Sequence, residues 1–328
     1  MKKHAKSIFT LLFILSSSLL FLQDLTPQSL DGNQGLRSFR IGFLLPDTDQ
    51  GADLGWYRGL KNFLLEQDSM KESLSQNGYS GIVVLPADGY RDLLQRMDLN
   101  EFDLVFCPSL LYVQQNGDYT PVLQMRGPIY SPHGDGLTFQ KGIVFAGPEC
   151  TLFSGDNSEQ QIRNYIATHP MAFVSSYDAA GYVYPRLELW RKYGVCEPGD
   201  YIFCGSSEEV VKYVVSGLVD IGACDADSLD TVLAAYVPGT PVDQMARILF
   251  ETPPAPTSPV LMREELHPSQ SDLGRLIKGS VKIYYNNSDR EDIPRVADSA
   301  AENFKNLREE MKAFLNLVEG ASRGDLPE

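Results

Sequence analysis

Residues 171–189, MAFVSSYDAAGYVYPRLEL, decide the fold. Ala172 to Val174 is a short apolar run of strand type. Ser175 to Gly181 follows as a turn of small residues that carries one tyrosine and one aspartate. Tyr182 to Trp190 then resumes with apolar residues at helical spacing. Small residues at such a turn let backbone amides approach a ligand, and amides at a helix start favour anions. The same turn is also an ordinary connection in α/β domains, so its weight depends on the flanking segments.

Downstream, Asp200 to Cys204 is a second apolar strand, followed by Gly205-Ser206-Ser207-Glu208-Glu209 and the helical run VVKYVVSG with its glycine stop at Gly217. Leu218 to Cys224 is a third strand, and Asp225-Ala226-Asp227-Ser228 caps another helix. Arg247 to Phe250 is a strand running into ETPPAPTSPV, residues 251–260. Upstream, Arg40 to Leu45, Gly81 to Leu85 and Asp103 to Cys107 read as strands, with helices starting at Trp56 and Tyr90. Pro121 to Arg126 and Gly142 to Ala146 are further extended runs. Strand–helix alternation on both sides predicts mostly parallel sheets flanked by helices. Ser299 to Val318 predicts a long amphipathic helix whose Phe304, Leu307, Met311, Leu315 and Val318 form a core-facing stripe.

This order resembles the phosphate/phosphite/phosphonate-binding branch of the type II periplasmic solute-binding proteins. MAFVSSYDAAGYVYP is similar to that family's F-V-D-P-x-S-T-S-G-Y-x-x-P turn. GSSEEVVKYVVSGLVDIGAC is similar to its G-H-x-x-x-x-x-A-V-x-x-G-x-V-D-x-G segment, and ETPPAPTSPV to its S-P-x-I-P-x-D-P return crossing. PADGYRDLLQRMDLNEFDLVFCPSLLYV resembles P-x-D-Y-x-x-x-I-x-x-L-x-x-x-x-V-D-I-A-x-x-G-P. The likeness runs from about Phe39 to about Lys278. It implies a two-lobed α/β fold with a ligand cleft between lobes. It also implies a non-catalytic protein that closes on a small-molecule ligand and delivers it to an ABC transporter permease. A sensor or scaffold acting on a membrane partner through the same fold is the alternative. The expected division is an export signal or anchor at 1–26 and a linker at 27–38. The first lobe would comprise 39–126 plus 250–328, with a crossing at 127–149, a second lobe at 150–244 and a return crossing at 245–249.

Composition narrows the partners. The chain has 328 residues and a formal net charge of −15, which excludes a general nucleic-acid binder needing a basic face. Lys2, Lys3, His4 and Lys6 precede the apolar run Ile8 to Leu22, the pattern of an export signal, either cleaved or retained as an anchor. The expected location is therefore periplasmic or extracytoplasmic, and the expected state is monomeric. Five cysteines leave at least one thiol free, and none has zinc-site spacing. The four histidines, His4, His133, His169 and His267, have no metal-ligand partners at helical spacing. With no nucleophile elbow, zincin motif or P-loop, neither enzymatic chemistry nor a cofactor is expected.

In two-lobed α/β proteins ligands sit beyond the carboxyl ends of strands. That rule selects the Pro46–Gly55 loop, the turn before Tyr90, Cys107-Pro108-Ser109, Ser175–Gly181, Gly205-Ser206-Ser207 and Asp225–Asp227. The candidate ligand-binding residues are Tyr90, Cys107, Ser109, Ser175, Ser176, Tyr177, Asp178, Ala179, Ser206, Ser207, Asp227 and Ser258. The resemblance implies that Tyr90 matches a ligand-contacting tyrosine. It aligns Asp227 with an acid that holds a substrate amino group, although Asp227 also suits a helix start. The departures lie at the anion site. Asp178 and Ala179 replace the family's Ser-Thr pair, Ser207 its histidine, Cys107 an aromatic and Ser258 an aspartate. A carboxylate about 4 Å from a phosphonate, at an effective dielectric of about 20, costs on the order of 4 kcal/mol, or about three decades of affinity. Asp178 thus either faces a cationic or zwitterionic ligand or turns away to cap its helix.

Overall fold

The computed structural model describes residues 36–45, 52–126, 138–287 and 295–323. The export segment at 1–26, most of the linker, residues 46–51 of the first cleft loop and 127–137 of the crossing lie outside the described residues. No helix among the described residues is long and apolar enough to cross a membrane.

Two sheets organise the chain. The first is built from β1 (Arg37–Leu44), β2 (Tyr79–Ala87), β3 (Leu104–Phe106), β4 (Tyr119–Met125), β10 (Pro259–Arg263) and β11 (Val296–Asp298), in the order β11-β4-β10-β3-β1-β2. The second contains β5 (Phe139–Ala146), β6 (Pro170–Phe173), β7 (Asp200–Phe203), β8 (Ile221–Asp225) and β9 (Arg247–Pro256), in the order β7-β6-β8-β5-β9. Two α/β lobes are what the alternation predicts. Pairing is parallel where strand–helix–strand units supply it, at β1–β2, β1–β3, β6–β7 and β6–β8. It is antiparallel at β10–β3, β10–β4, β11–β4, β5–β8 and β5–β9. Each sheet is therefore mixed rather than mostly parallel. The strands that carry the chain between lobes enter from the cleft end and run against their neighbours.

The lobe boundaries need correction. Residues 139–146 and 247–256 are not crossings but β5 and β9, which pair with one another inside the second sheet. The return crossing is instead the short step from Pro256 to Pro259. The first helix, α1 (Ala52–Glu66), also begins inside the expected Pro46–Gly55 loop.

Helices cover both sheets. On the first lobe they are α1, α2 (Asp68–Gln76), α3 (Tyr90–Asp98), α4 (Ser109–Gln114) and α9 (Asp272–Asn286). On the second they are α5 (Glu159–Ile166), α6 (Tyr184–Tyr193), α7 (Ser207–Val215) and α8 (Ala226–Tyr236). The last helix, α10 (Lys305–Arg323), touches both lobes. Its Arg308 donates to the Tyr112 hydroxyl of α4 at 2.9 Å, and its Glu310 pairs with Arg191 of α6 at 2.6 Å. Phe304, Leu307, Met311, Phe314 and Leu317 are buried in a core shared with Val105 and Leu110 of the first lobe and Phe173, Val183 and Leu187 of the second. The predicted stripe is thus largely correct, but Leu315 is 46% exposed and Phe314 takes its place.

The two crossings are tied at one point. Gln124, fully buried in β4, donates through Nε2 to the carbonyls of Thr138 at 2.6 Å and Thr257 at 3.3 Å. Its Oε1 accepts from Ser299 Oγ at 3.2 Å and Asn303 Nδ2 at 3.1 Å. Two donors and two acceptor sites are all that a glutamine amide has, and all four are used. Gln124→Leu keeps the side-chain bulk but leaves the carbonyls of both crossings without this donor. The Thr138 carbonyl keeps the Thr257 amide at 3.0 Å, so the Thr257 carbonyl is the one stranded, and at about 1–3 kcal/mol for a stranded buried partner we expect urea unfolding to show a loss of about 1–3 kcal/mol. A loss below about 1 kcal/mol would mean that the crossings do not depend on this amide.

Candidate functional site

The cleft between the sheets contains a cavity of about 290 Å³. Pro108 and Ser109 enter it from the start of α4, and Met125 and Arg126 from the end of β4. Gln140 of β5 and Tyr177, Asp178 and Ala179 line the second-lobe wall, and Pro256, Thr257 and Ser258 of the return crossing complete it. Five of the expected residues therefore meet here: Ser109, Tyr177, Asp178, Ala179 and Ser258. The other seven do not line this cavity, and each has a local reason.

Ser206 caps α7, its hydroxyl accepting from the Glu209 amide at 3.2 Å, and Ser207 is that helix's first residue. Asp227 lies in the first turn of α8, whose cap is Asp225, accepting from the Ser228 amide at 2.9 Å and hydroxyl at 2.6 Å. Ser175 turns the backbone, its carbonyl accepting from the Asp178 amide at 3.2 Å, and Ser176 is exposed. Cys107 is buried, and burial pushes its thiol well up, so it acts as a small hydrophobe.

Tyr90 lies beside the cavity. Its ring stacks on Tyr177 with centroids 4.7 Å apart and planes 17° from parallel, which joins the first lobe to the second. Its hydroxyl donates to Gln114 Oε1 at 2.6 Å. Burial, followed by the neighbouring Cys107 and Tyr177, raises its phenol pKa, so it stays neutral. Behind it, Gln114 Nε2 contacts Met311 Sδ of α10 at 3.8 Å.

Asp178 answers the question left by its sequence. It caps a π-helical turn, Ala179–Val183, by accepting from the Gly181 amide at 2.5 Å, and it also faces the cavity. The turn is closely packed. A Cβ at Gly142 would collide with the carbonyl oxygen of Ala180, and one at Gly181 with the side chain of Val174. Asp178 is half-buried, and its pKa is raised to about 6. Burial is the main cause and the Asp225 carboxylate adds to it, while the amides of Gly181 and Ala180 oppose it.

Sequence reasoning missed Arg126, Gln140 and Thr257. Arg126 is the sole cation among the residues lining the cavity, and Asp178 the sole acid. Arg126 had a visible signal, a basic residue ending an apolar strand at the crossing. Gln140 had none, because it joins the cavity only through the β5–β9 pairing, whereas Thr257 lies inside the return-crossing stretch 251–260. No group of three or more His, Cys, Asp or Glu among the described residues could hold a metal ion.

The family described as ABC transporter, phosphonate, periplasmic substrate-binding protein matches residues 67–278. There is no match among curated proteins. Among solved structures, PhnD1 from Prochlorococcus marinus in complex with methylphosphonate is 16% identical, with a TM-score of 0.57 over 88% of this chain and 99% of that one. The binding protein component of an ABC phosphonate transporter from Pseudomonas aeruginosa is 14% identical, with a TM-score of 0.58 over 86% and 88%. A Xanthomonas citri protein bound to ATP is 18% identical, with a TM-score of 0.60 over 86% and 98%. At these identities the likeness bears on the fold.

The raised Asp178 pKa has a consequence for stability. In the unfolded chain the carboxyl titrates near 3.8 and in the fold near 6. The folded state therefore holds the extra proton, and the associated stability is full below about 3.8 and lost as pH rises through about 6. Relative to Asp178→Asn, which keeps a capping oxygen, the wild type should gain up to about 1.4 kcal/mol per pH unit as pH falls from 7 toward 5. Denaturant titrations of both proteins at each pH measure this, and a pH-independent difference would show Asp178 to be solvated.

Proposed function

The chain belongs to the periplasmic substrate-binding protein family of phosphonate ABC transporters, and from that premise we propose that it captures a small polar solute in the inter-lobe cavity and hands it to a membrane permease. The observation that carries this reading is the cavity itself, walled by both lobes and floored by both crossings. A solute seated there touches every part that must move when the lobes close, so its binding energy acts directly on closure. The basic and apolar N-terminal segment supports action outside the cytoplasm.

The solute is not a simple phosphonate or phosphate dianion. Asp178 and Ala179 stand where the family pattern has two hydroxyl donors, and the carboxylate of Asp178 takes the Gly181 amide for itself. Each lost charge-assisted hydrogen bond removes about 1.5–3 kcal/mol, and the carboxylate adds repulsion. Calorimetry on ligand-stripped protein should therefore give weak binding of methylphosphonate and of phosphate. The paired replacement Asp178→Ser with Ala179→Thr restores the hydroxyls and should raise methylphosphonate affinity by at least about 10-fold, the equivalent of 1.4 kcal/mol. Sub-micromolar methylphosphonate binding by the wild type would overturn this reading of the site.

A further inference from the structure

We infer that the second lobe carries a separate site for an uncharged sugar, in a pocket at the end of its sheet away from the cleft. This goes beyond the inter-lobe solute cavity and does not depend on it.

The pocket has a volume of about 370 Å³, inside the range of about 300–1,000 Å³ usual for small-molecule sites. One wall is α5 and the residues after it, with Gln161, Asn164, Tyr165 and His169. The other is the loop leading into α5, with Leu152 and Asn157. The sheet register fixes its place. Ala146 at the end of β5 pairs with Ile221 at the start of β8, and Ile221 pairs with Met171 of β6. The pocket lies beyond that end, whereas Gln140 and Asp178 reach the cleft from the opposite ends of β5 and β6.

None of the described residues lining the pocket is charged, although Asp, Glu, Lys and Arg make up 22% of the chain. Its amides are half used. Gln161 Oε1 accepts from the Ser158 amide at 2.8 Å, which leaves Nε2 without a partner among the described residues. Asn164 Oδ1 accepts from Gln160 Nε2 at 2.7 Å, which leaves Nδ2 in the same state. Asn157 Nδ2 donates to the Leu152 carbonyl at 2.8 Å, and Oδ1 remains. His169 Nδ1 lies 2.9 Å from the Tyr165 carbonyl. A carbonyl only accepts, so this nitrogen carries the proton and Nε2 of the neutral ring is an acceptor.

The pocket thus offers two neutral donor groups and two neutral acceptors. A sugar hydroxyl donates and accepts at once, so adjacent hydroxyls pair with such a mixed set. A carboxylate or phosphate needs donors alone, and an ammonium needs acceptors alone. Gln161 and Asn164 stand one turn apart on one helix face, about 5–6 Å between Cβ atoms, a spacing that fits neighbouring hydroxyls of one ring. Tyr165 and His169 stack with centroids 3.7 Å apart and planes 7° from parallel, and give the C–H face of a sugar a flat apolar support. These groups are set before a ligand arrives, which lowers the cost of binding. The Tyr165 hydroxyl donates to Asp220 at 2.6 Å, and the capping box at Ser158 fixes the start of α5.

The test is an NMR titration of the full ¹⁵N-labelled chain, stripped of ligand, with glucose, N-acetylglucosamine and maltose. Glucuronate and glucosamine are the charged counterparts. We expect at least one neutral sugar to shift the amides of Gln161, Asn164 and His169 saturably, with a Kd of about 1 mM or tighter. It should bind about 3-fold or more tighter than either charged probe. Asn164→Asp, at an exposed helix position, exchanges the Nδ2 donor for a charged oxygen. It should keep the thermal midpoint and weaken the neutral sugar about 3- to 10-fold, while Asp178→Asn leaves that affinity unchanged. Tighter binding of maltoheptaose than of maltose would support the site and make a glycan chain its source, and equal affinity would support it with a free sugar. Absence of shifts at these amides up to about 10 mM of every neutral sugar would overturn the site. So would charged probes that bind as tightly, shifts confined to cleft residues such as Gln140 and Tyr177, or unchanged affinity in Asn164→Asp. The wild-type series decides the charge preference and the place of binding even if a variant fails to fold, and loss of this site leaves the cleft reading standing.

Discussion

One buried amide holds this architecture in place. The chain passes between its two sheets twice, and the two passes meet at the Thr138 and Thr257 carbonyls, of which Thr138 already accepts from the Thr257 amide at 3.0 Å. Buried backbone carbonyls without partners are costly. Gln124 answers this by donating to Thr138 on the outward crossing and Thr257 on the return, while Ser299 and Asn303 fix its oxygen. Thr257 tightens the same point through its hydroxyl, shared between the Met125 and Thr138 carbonyls. The cavity floor is made of the neighbours of this knot: Met125, Arg126, Pro256, Thr257 and Ser258. The amide that pins the crossings therefore also fixes the cavity floor.

A second tie lies along α10. Its ion pair to Arg191 is partly exposed, and such pairs contribute about 0–1 kcal/mol. The apolar face matters more, because each fully buried large side chain contributes about 1.5–3 kcal/mol and α10 buries Leu307, Met311, Phe314 and Leu317 between the lobes, with Phe304 just before it. Opening the cleft with α10 held on α4 would separate Phe314 from Tyr182, which lie 5.5 Å apart, and break the Tyr90–Tyr177 stack. The approach of the lobes is thus partly a property of the chain. A solute needs only to bias an equilibrium that its own contacts favour.

The parts of this fold that were legible are those with local signals. Apolar runs followed by helical periodicity marked β1, β2, β3, β6 and β8, and small residues marked the turns that face the cleft. The β5–β9 ladder was not legible, because Phe139 pairs with Pro256 and no local pattern announces a partner so far along the chain. The proline-rich stretch 253–256 reads as a loop, since proline weakens a strand's hydrogen bonding; here it sits at the sheet edge, where β9 pairs only with β5. Site residues divide in the same way. Ser206 and Asp225 carry the chemistry of a helix cap and of a ligand contact alike, and only the geometry assigns their oxygens to Glu209 and Ser228. Gln124 left one trace, an amide inside the otherwise apolar run PVLQM.

On the proposed reading, Asp178 and Ala179 change the site's charge preference while the fold is kept. Amides at the start of a helix attract anions, and in this turn the chain supplies its own. An intramolecular carboxylate acts at an effective concentration that a dilute solute does not match. An external anion must therefore displace Asp178 from the Gly181 amide and also tolerate its charge. A cation faces neither obstacle and finds a carboxylate whose proton affinity burial and Asp225 have already raised. The close packing at Gly142 and Gly181 fixes the turn in either case. On that reading the backbone that would cradle an anion is retained, while the carboxylate at its mouth disfavours one.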